Sequence, residues 1–271
     1  MTEPANDRVT IDIQDGVADV RLVRTDKMNA LDDAMFAALI AAGDRLKTEK
    51  GVRAVVLSGE GKAFCAGLDM GNFGKMASGE RSGGTGLVDT PRTESGANRA
   101  QNAALIWRDI PVPVIAAVHG VALGGGFQLT LGADMRFVAP DTKMAVLEIK
   151  WGLVPDMAGI ALLRGLIRDD VARDLSYTGR IFSGEEAFTL GIATRVCADP
   201  RAEALATARE IATKNPAAIR ANKRLLNLMA DGDQHAILLA ESVEQSALIG
   251  SRGNIEAVMA NMEKRAPVFE D

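Results

Sequence analysis

Three short segments hold the residues whose types and spacing could do chemistry. Lys62-Ala-Phe-Cys-Ala-Gly-Leu-Asp-Met70 follows the apolar run that ends at Leu57, and His119-Gly-Val-Ala-Leu-Gly-Gly-Gly-Phe-Gln128 follows the run that ends at Val118. Small residues just after a buried strand let a ligand come close to backbone N–H groups. The triple glycine Gly124-Gly125-Gly126 is expected to open a helix, because Phe127, Leu129 and Leu131 follow it. A helix start offers unpaired N–H donors and a field that favours negative charge. The third segment, Met144-Ala-Val-Leu-Glu-Ile-Lys-Trp-Gly-Leu-Val-Pro-Asp156, carries two carboxylates, Glu148 and Asp156. Glu148 lies among Met144, Val146, Leu147, Ile149 and Trp151, and a dry shell of that kind would raise its pKa and make it a better base. The plainer alternatives are a surface ion pair of Glu148 with Lys150 and a helix N-cap at Asp156 for the run Ile160 to Ile167.

Other chemistries lack their residues. Gly59-Glu-Gly61-Lys62 has Val56 and Ala63 where a phosphate loop needs Gly and Ser or Thr. The triple glycine lacks the dinucleotide fingerprint, and no G-x-S-x-G elbow occurs. Two histidines, His119 and His235, form no metal-ligand spacing, so no metal is expected. Cys65, between Phe64 and Ala66, reads as a small packed residue rather than a nucleophile.

The elements that would position these segments alternate. Val9, Ile11 and Ile13 alternate with polar residues as in a strand, Asp15-Gly16 is a hairpin turn, and Val17 to Val23 reads as the second strand. Asp32 and Asp33 open a helix carrying Met35, Phe36, Leu39, Ile40 and Leu46. Val52 to Leu57 and Val114 to Val118 read as buried strands. The pattern is α/β. From Gly71 to about Asn98 no hydrophobic period is visible, so that stretch reads as mobile or as a lid. Ser183-Gly-Glu-Glu186 is a capping-box pattern. After about Ala198 the chain reads as wholly helical, with helices over Ala202–Thr213, Pro216–Met229, His235–Ile249 and Asn254–Lys264. The division is therefore a core over residues 1–198 and a helical region over 199–271.

Composition sets outer limits. The 271 residues carry 31 Lys+Arg and 36 Asp+Glu, a net charge of -5, with 47% apolar residues. That excludes a disordered chain and argues against a nucleic-acid binder, whose footprint is usually basic. No apolar stretch is long enough to span a bilayer. Two cysteines make no disulfide framework, and the polar start Met1-Thr2-Glu3-Pro4 is unlike a signal peptide, so the expected compartment is the cytoplasm.

The three segments, together with Met28-Asn-Ala-Leu31, Pro113-Val-Ile-Ala-Ala-Val-His119, Gly152-Leu-Val-Pro155, Tyr177-Thr-Gly-Arg180 and the following Ala187 and Gly191, resemble the crotonase superfamily of enoyl-CoA hydratases and isomerases over nearly the whole chain. The resemblance implies a spiral of ββα repeats with a helical C-terminal trimerisation region, giving homotrimers or hexamers built as dimers of trimers. It implies an acyl-CoA thioester as substrate, with CoA as part of the substrate and no separate cofactor. The thioester oxygen would sit in an oxyanion hole formed by the N–H groups of Leu68 and Gly125, worth about 2.7–4 kcal/mol of barrier per donor. Substrate contacts would come from Lys27, Met28, Ala66, Asp69, Gly124 and Phe269, the last in the site of a neighbouring subunit, with Arg24 and Lys62 as further candidates for phosphates.

Family hydratases carry two glutamates. Here their positions hold Gln128 and Glu148. A carboxamide does not exchange a proton at neutral pH. Glu148 alone suffices to move one proton between two carbons, which resembles 3,2-enoyl-CoA isomerases. Asp156 resembles the second acid of dienoyl-CoA isomerases, although those also have an acid at the position of Gln128. The expectation is double-bond isomerisation of an unsaturated acyl-CoA. The alternatives are hydration, with Gln128 positioning water, and a catalytically weak acyl-CoA-binding homologue.

Overall fold

The alternation at Val9, Ile11 and Ile13 produces β1 (Val9–Gln14), which pairs antiparallel with β2 (Val17–Leu22) through a turn in which Asp15 and Gly16 take positive φ. The computed structural model describes residues 7–71, 90–229 and 234–270. From β2 onward the sheet is parallel: β3 (Ala54–Gly59), β4 (Val114–Val118), β6 (Met135–Val138) and β8 (Arg195–Val196) follow in the order β1-β2-β3-β4-β6-β8. Every residue of β3 and β4 is buried, which is why both read as unbroken apolar runs: their sheet is covered on both faces.

Helices cover those faces. On one side lie α1 (Asp33–Thr48) and α2 (Arg99–Asp109), which pack on one another around Trp107, Ile106, Leu39 and Leu46. Asp32 caps α1 by accepting from the Met35 amide at 2.7 Å. Asn98 and Gln101 close a full capping box on α2. This helix emerges from the stretch that shows no period in the sequence; residues 72–89 of the expected lid lie outside the described residues. On the other side lies α7 (Pro200–Ala212), whose Ala204, Ala208 and Ala212 pack on Val17, Ala54, Val56, Ile115 and Ala117. The small alanines let the helix sit close to the strands. From Pro200 onward the described elements are helices, and the first of them completes the core of the sheet.

Between the sheet strands the chain passes through a second, shorter ladder. Leu31 bridges Leu68, Cys65 bridges Ala122, β5 (Val121–Leu123) pairs with β7 (Lys143–Ala145), and Met144 bridges Phe182. Each turn of chain therefore adds one strand to the main sheet and one rung to this ladder, the repeat expected of a ββα spiral. Short helices follow the ladder: α3 (Gly125–Leu131), α4 (Gly159–Leu163), α5 (Asp169–Thr178) and α6 (Gly184–Thr189). Ser183 caps α6 through the Glu186 amide at 3.1 Å. The remaining helices are α8 (Pro216–Met229), α9 (Gln234–Leu248) and α10 (Arg252–Glu263), close to the predicted bounds. No helix among the described residues is long and apolar enough to cross a membrane, and no group of metal-ligating side chains occurs among them.

Candidate active site

The site lies on the second ladder, where two glycine turns meet. Leu31 N donates to Gly67 O at 2.8 Å and Asp69 N donates to Leu31 O at 3.0 Å. In that parallel bridge the amide of Leu68 faces away from Leu31. Gly67 has φ +92, and a Cβ there would lie 2.5 Å from Leu123 O and 3.8 Å from Gly125 N. Glycine is therefore required, and it brings the Leu68 turn against the start of α3. Gly124, with φ +51, makes the reversal from β5 into that helix. Gly125 is the first helical residue, so its N–H has no partner within the helix. Neither the Leu68 nor the Gly125 amide donates to another described residue. Two open N–H groups at adjoining turns can share one oxyanion, as a thioester oxygen requires when it becomes an enolate.

Glu148 stands beside them. It begins a 3-10 turn over Glu148–Trp151 that closes at Gly152 in the left-handed region. A Cβ on Gly124 would lie 3.4 Å from Glu148 Oε1, so the carboxylate rests against the bare backbone of the α3 start. Gln128 Nε2 donates to Glu148 Oε1 at 2.6 Å. Glu148 Oε2 is buried and has no hydrogen-bond partner among the described residues. Burial raises the Glu148 pKa above the ordinary glutamate value; its backbone and Gln128 hydrogen bonds oppose the shift, and the nearby charge of Asp156 adds to it. The expected dry shell is only partly present, because Ile149 and Trp151 are exposed at 45% and 42%. Lys150 does not pair with Glu148: its ammonium lies over the Trp151 ring, 5.7 Å from the centroid.

Gln128 is 1% exposed on the buried face of α3, next to Phe127, which packs edge-on against Phe182 at 5.7 Å. Its Oε1 accepts from Met157 N and Gly159 N, both at 2.9 Å. Those two amides flank Ala158, which holds φ +64 and serves as the N-cap of α4. Here the structure corrects an expectation. The helix predicted over Ile160 to Ile167 begins one residue earlier and ends at Leu163, and Asp156 does not cap it. Asp156 is exposed by surface area, yet enough protein surrounds its carboxyl for burial to raise its pKa.

The residues expected to hold CoA divide into two groups. Lys27 and Met28 sit exposed on a tight turn, where Met28 and Asn29 both take positive φ. The buried Asn29 donates to Glu60 O and Ala63 O at 3.0 and 2.9 Å and so ties this turn to the loop before the site. Ala66 N donates to Met28 O at 2.9 Å, which places the turn along the rim of the Leu68 segment. The Asp69 carboxylate is already engaged: it accepts from Gly71 N at 2.8 Å and pairs with Arg24 at 2.7 Å, bonds that lower its pKa. Arg24 also donates to Ala30 O at 3.0 Å, so the guanidinium expected to meet a phosphate is held inside the fold. Lys62 is exposed. Phe269 lies elsewhere, its carbonyl accepting from Arg53 Nη2 at 2.9 Å, near the entrance to β3 rather than the exit that leads to the site. The contacts of Gln128 with Met157 and Gly159 carry no sequence signal, because backbone amides supply them.

The cysteine reading holds in this geometry. Cys65 is fully buried, donates to Asn29 O at 3.1 Å, and burial pushes its thiol up to about 12. A thiol in that state is no nucleophile.

Known proteins resemble this chain along nearly its whole length. A probable enoyl-CoA hydratase of Mycobacterium tuberculosis is 34% identical over 256 residues, covering 94% of this chain and 96% of its own length. Mouse mitochondrial methylglutaconyl-CoA hydratase is 30% identical over 262 residues, covering 94% of this chain and 80% of its own. The crystal structure of an enoyl-CoA hydratase from Bacillus anthracis matches with a TM-score of 0.85 at 27% identity, covering 97% of this chain and 98% of that one. The family model described as Enoyl-CoA hydratase/isomerase matches residues 12–271. A crotonase spiral, with two open amides beside a half-buried glutamate, and these matches along nearly its whole length make the chain an enzyme of the enoyl-CoA hydratase/isomerase family.

Proposed function

We propose that the protein moves a double bond within an unsaturated acyl-CoA, with Glu148 as the single proton carrier. The observation that carries this reading is Glu148 Oε2, buried and unpartnered at the two-amide turn. A thioester oxygen seated between the Leu68 and Gly125 amides would draw electron density from the neighbouring carbon. Glu148 Oε2 takes the C2 proton of a 3-enoyl ester, and the electron pair spreads into a dienolate. The same oxygen then returns the proton at C4, giving the 2-enoyl ester. Proton and electrons balance with no second acid, as Gln128 in the other glutamate position requires.

A second reading, hydration, has support from Asp156 and from the names of the relatives. Asp156 adds to the raised pKa of Glu148, so the two carboxyls are near enough to feel each other. Under that reading one would deprotonate water and the other protonate carbon. Proton NMR in D2O with 2-enoyl-, 3-enoyl- and 3,5-dienoyl-CoA esters separates the two. Migration with deuterium exchange and no hydroxyl product supports isomerisation. Fast hydration of the 2-enoyl ester overturns it in favour of Asp156 as second acid, and CoA-ester binding without turnover would mark a binding homologue.

The same proposal includes the assembly and the compartment. Leu226, Met229, Leu239, Val243 and Met262, on α8, α9 and α10, are each more than half exposed, an apolar surface that association would cover. A homotrimer or hexamer in the cytoplasm fits this surface, with Phe269 reaching a neighbouring subunit's site. Light scattering at micromolar protein should report three or six chains; a monomer would refute the assembly.

A further inference from the structure

The Gln128 carboxamide has an orientation that only one arrangement satisfies. Oε1 receives two N–H bonds, from Met157 and Gly159, and so uses both of its lone pairs. Turning the amide over would face its NH2 against those two N–H groups and its oxygen against the Glu148 carboxylate. Donor would meet donor and acceptor would meet acceptor. The hydrogen-bond network sets which end faces Glu148. That leaves Nε2 aimed at Glu148 Oε1 at 2.6 Å. The lock itself is backbone: the two amides converge because Ala158 between them sits in the left-handed region at φ +64.

We propose that Gln128 is a positioning residue that pins Glu148 Oε1 and thereby assigns proton transfer to Oε2 alone. The inference deepens the reading of Glu148 as the proton carrier and rests on it. It has a chemical consequence. With Glu148 Oε1 held by Gln128 and Gln128 Oε1 engaged twice, Glu148 Oε2 is the one acceptor of the pair left open, and Gln128 has none with which to orient a water. The clamp thus favours moving a proton between two carbons of one ester over adding water across its double bond. In a pinned carboxylate the reactive oxygen also stays on one face of the substrate, so the proton leaves and returns on that face.

The surroundings of Glu148 are simple enough to read a change there. Asp156 is the charged group acting on it. Lys150 on its own turn lies over Trp151. On α5, which packs against that turn, Asp169, Asp170 and Asp174 pair with Arg173, Arg168 and Arg180. Neither α3 nor α4 carries a charged side chain.

The test is Gln128→Met, which keeps the length and removes both the donor and the acceptor. A hydrogen bond to a carboxylate favours its ionised form. Its loss is expected to move the acidic limb of the kcat profile to higher pH, to lower kcat by roughly 10- to 100-fold as the carboxylate loses its aim, and to leave KM within about two-fold. Deuterium delivered at C4 should also lose its facial selectivity. A limb that stays in place, in protein that binds the ester normally, overturns the proposal and leaves Gln128 a structural residue. If Gln128→Met does not fold, Gln128→Glu keeps the acceptor for the two amides. Two carboxyls at that spacing cannot both ionise freely, so the limb must rise; an unmoved limb shows that the two side chains do not touch. Either limb is read in whichever reaction the wild-type protein performs, so a hydratase result would refute the proposed function while the clamp is still judged by its own outcome.

Discussion

Glu148 and Lys223 are two ionisable groups that burial drives toward neutrality, and only one of them has an atom left over. Lys223 is 5% exposed on α8, and burial lowers its pKa while Asp134 opposes the shift. Its ammonium donates to Val112 O at 2.9 Å, to Trp107 O at 3.3 Å and to Asp134 Oδ2 at 2.8 Å. All three of its donors are used, and they fasten α8 to the end of α2 and the entry of β4. Glu148 has one oxygen held by Gln128 and the other without a partner. A shifted pKa marks both sites and distinguishes neither. Satisfaction does: a buried polar atom that the fold leaves unpaired is either a defect or a place kept for substrate.

That comparison breaks most directly at Glu148. Glu148→Gln keeps an acceptor for the Gln128 amide and removes the proton carrier, so kcat should fall by about 10²–10⁴-fold with KM little changed. Retention of a tenth of the wild-type rate would move the chemistry to Asp156. At the other pole, Lys223→Met should leave kcat per folded molecule unaltered and lower stability to urea by about 3–5 kcal/mol, since Asp134 loses its cation. A Lys223→Met protein as stable as wild type would mean that the lysine is not the fastening it looks to be.

The two groups should also tilt the pH dependence of stability in opposite senses. Glu148 has a raised folded pKa, so its favourable contribution is complete below the unfolded glutamate value of about 4.3 and is lost as pH rises through the folded value. At neutral pH the buried carboxylate therefore opposes folding. Glu148→Gln should melt higher than wild type at pH 7.5, by an amount that shrinks toward pH 4. Lys223 has a lowered folded pKa, so its fold gains stability as pH rises from that value toward the unfolded lysine value of about 10.4. Thermal melts across that range check both slopes, and parallel slopes would remove the distinction. The activity carries a matching sign: Glu148 must be ionised to accept a proton, so the rate should fall on acidification at a pH above the ordinary glutamate value.

Much of this arrangement is legible in the residue order. The apolar runs locate β3 and β4, Asp32 and Ser183 announce their helices, and the glycine turns with Gln128 and Glu148 stand in motifs that a family resemblance can read. Other parts are written in contacts that sequence does not show. Helix α2 follows an aperiodic stretch, although its Asn98-Arg-Ala-Gln101 start is a capping box that could have revealed it. Asp134 lies 89 positions from Lys223, so nothing local marks that lysine as buried. The lock on Gln128 comes from amides of Met157 and Gly159, which any residue types would supply. Arg24 looks like a phosphate ligand until the fold places Asp69 against it.

Ala158 offers the smallest and sharpest probe of that backbone lock. A left-handed conformation costs an L-residue about 1–2 kcal/mol, which glycine avoids. Glycine in turn frees the unfolded chain by about 0.4–1 kcal/mol and forfeits a partly packed methyl group. These nearly cancel, so Ala158→Gly should change stability by less than about 0.5 kcal/mol. Ala208→Gly, in the buried middle of α7 where φ is helical, should lose about 1 kcal/mol or more. If the left-handed turn exists to hold two amides on Gln128, loosening it should lower kcat by about two- to three-fold while the melting temperature stays put. A stability loss equal to that of Ala208→Gly would mean that residue 158 is not held at positive φ, and the convergence of the Met157 and Gly159 amides on Gln128 would lose its cause.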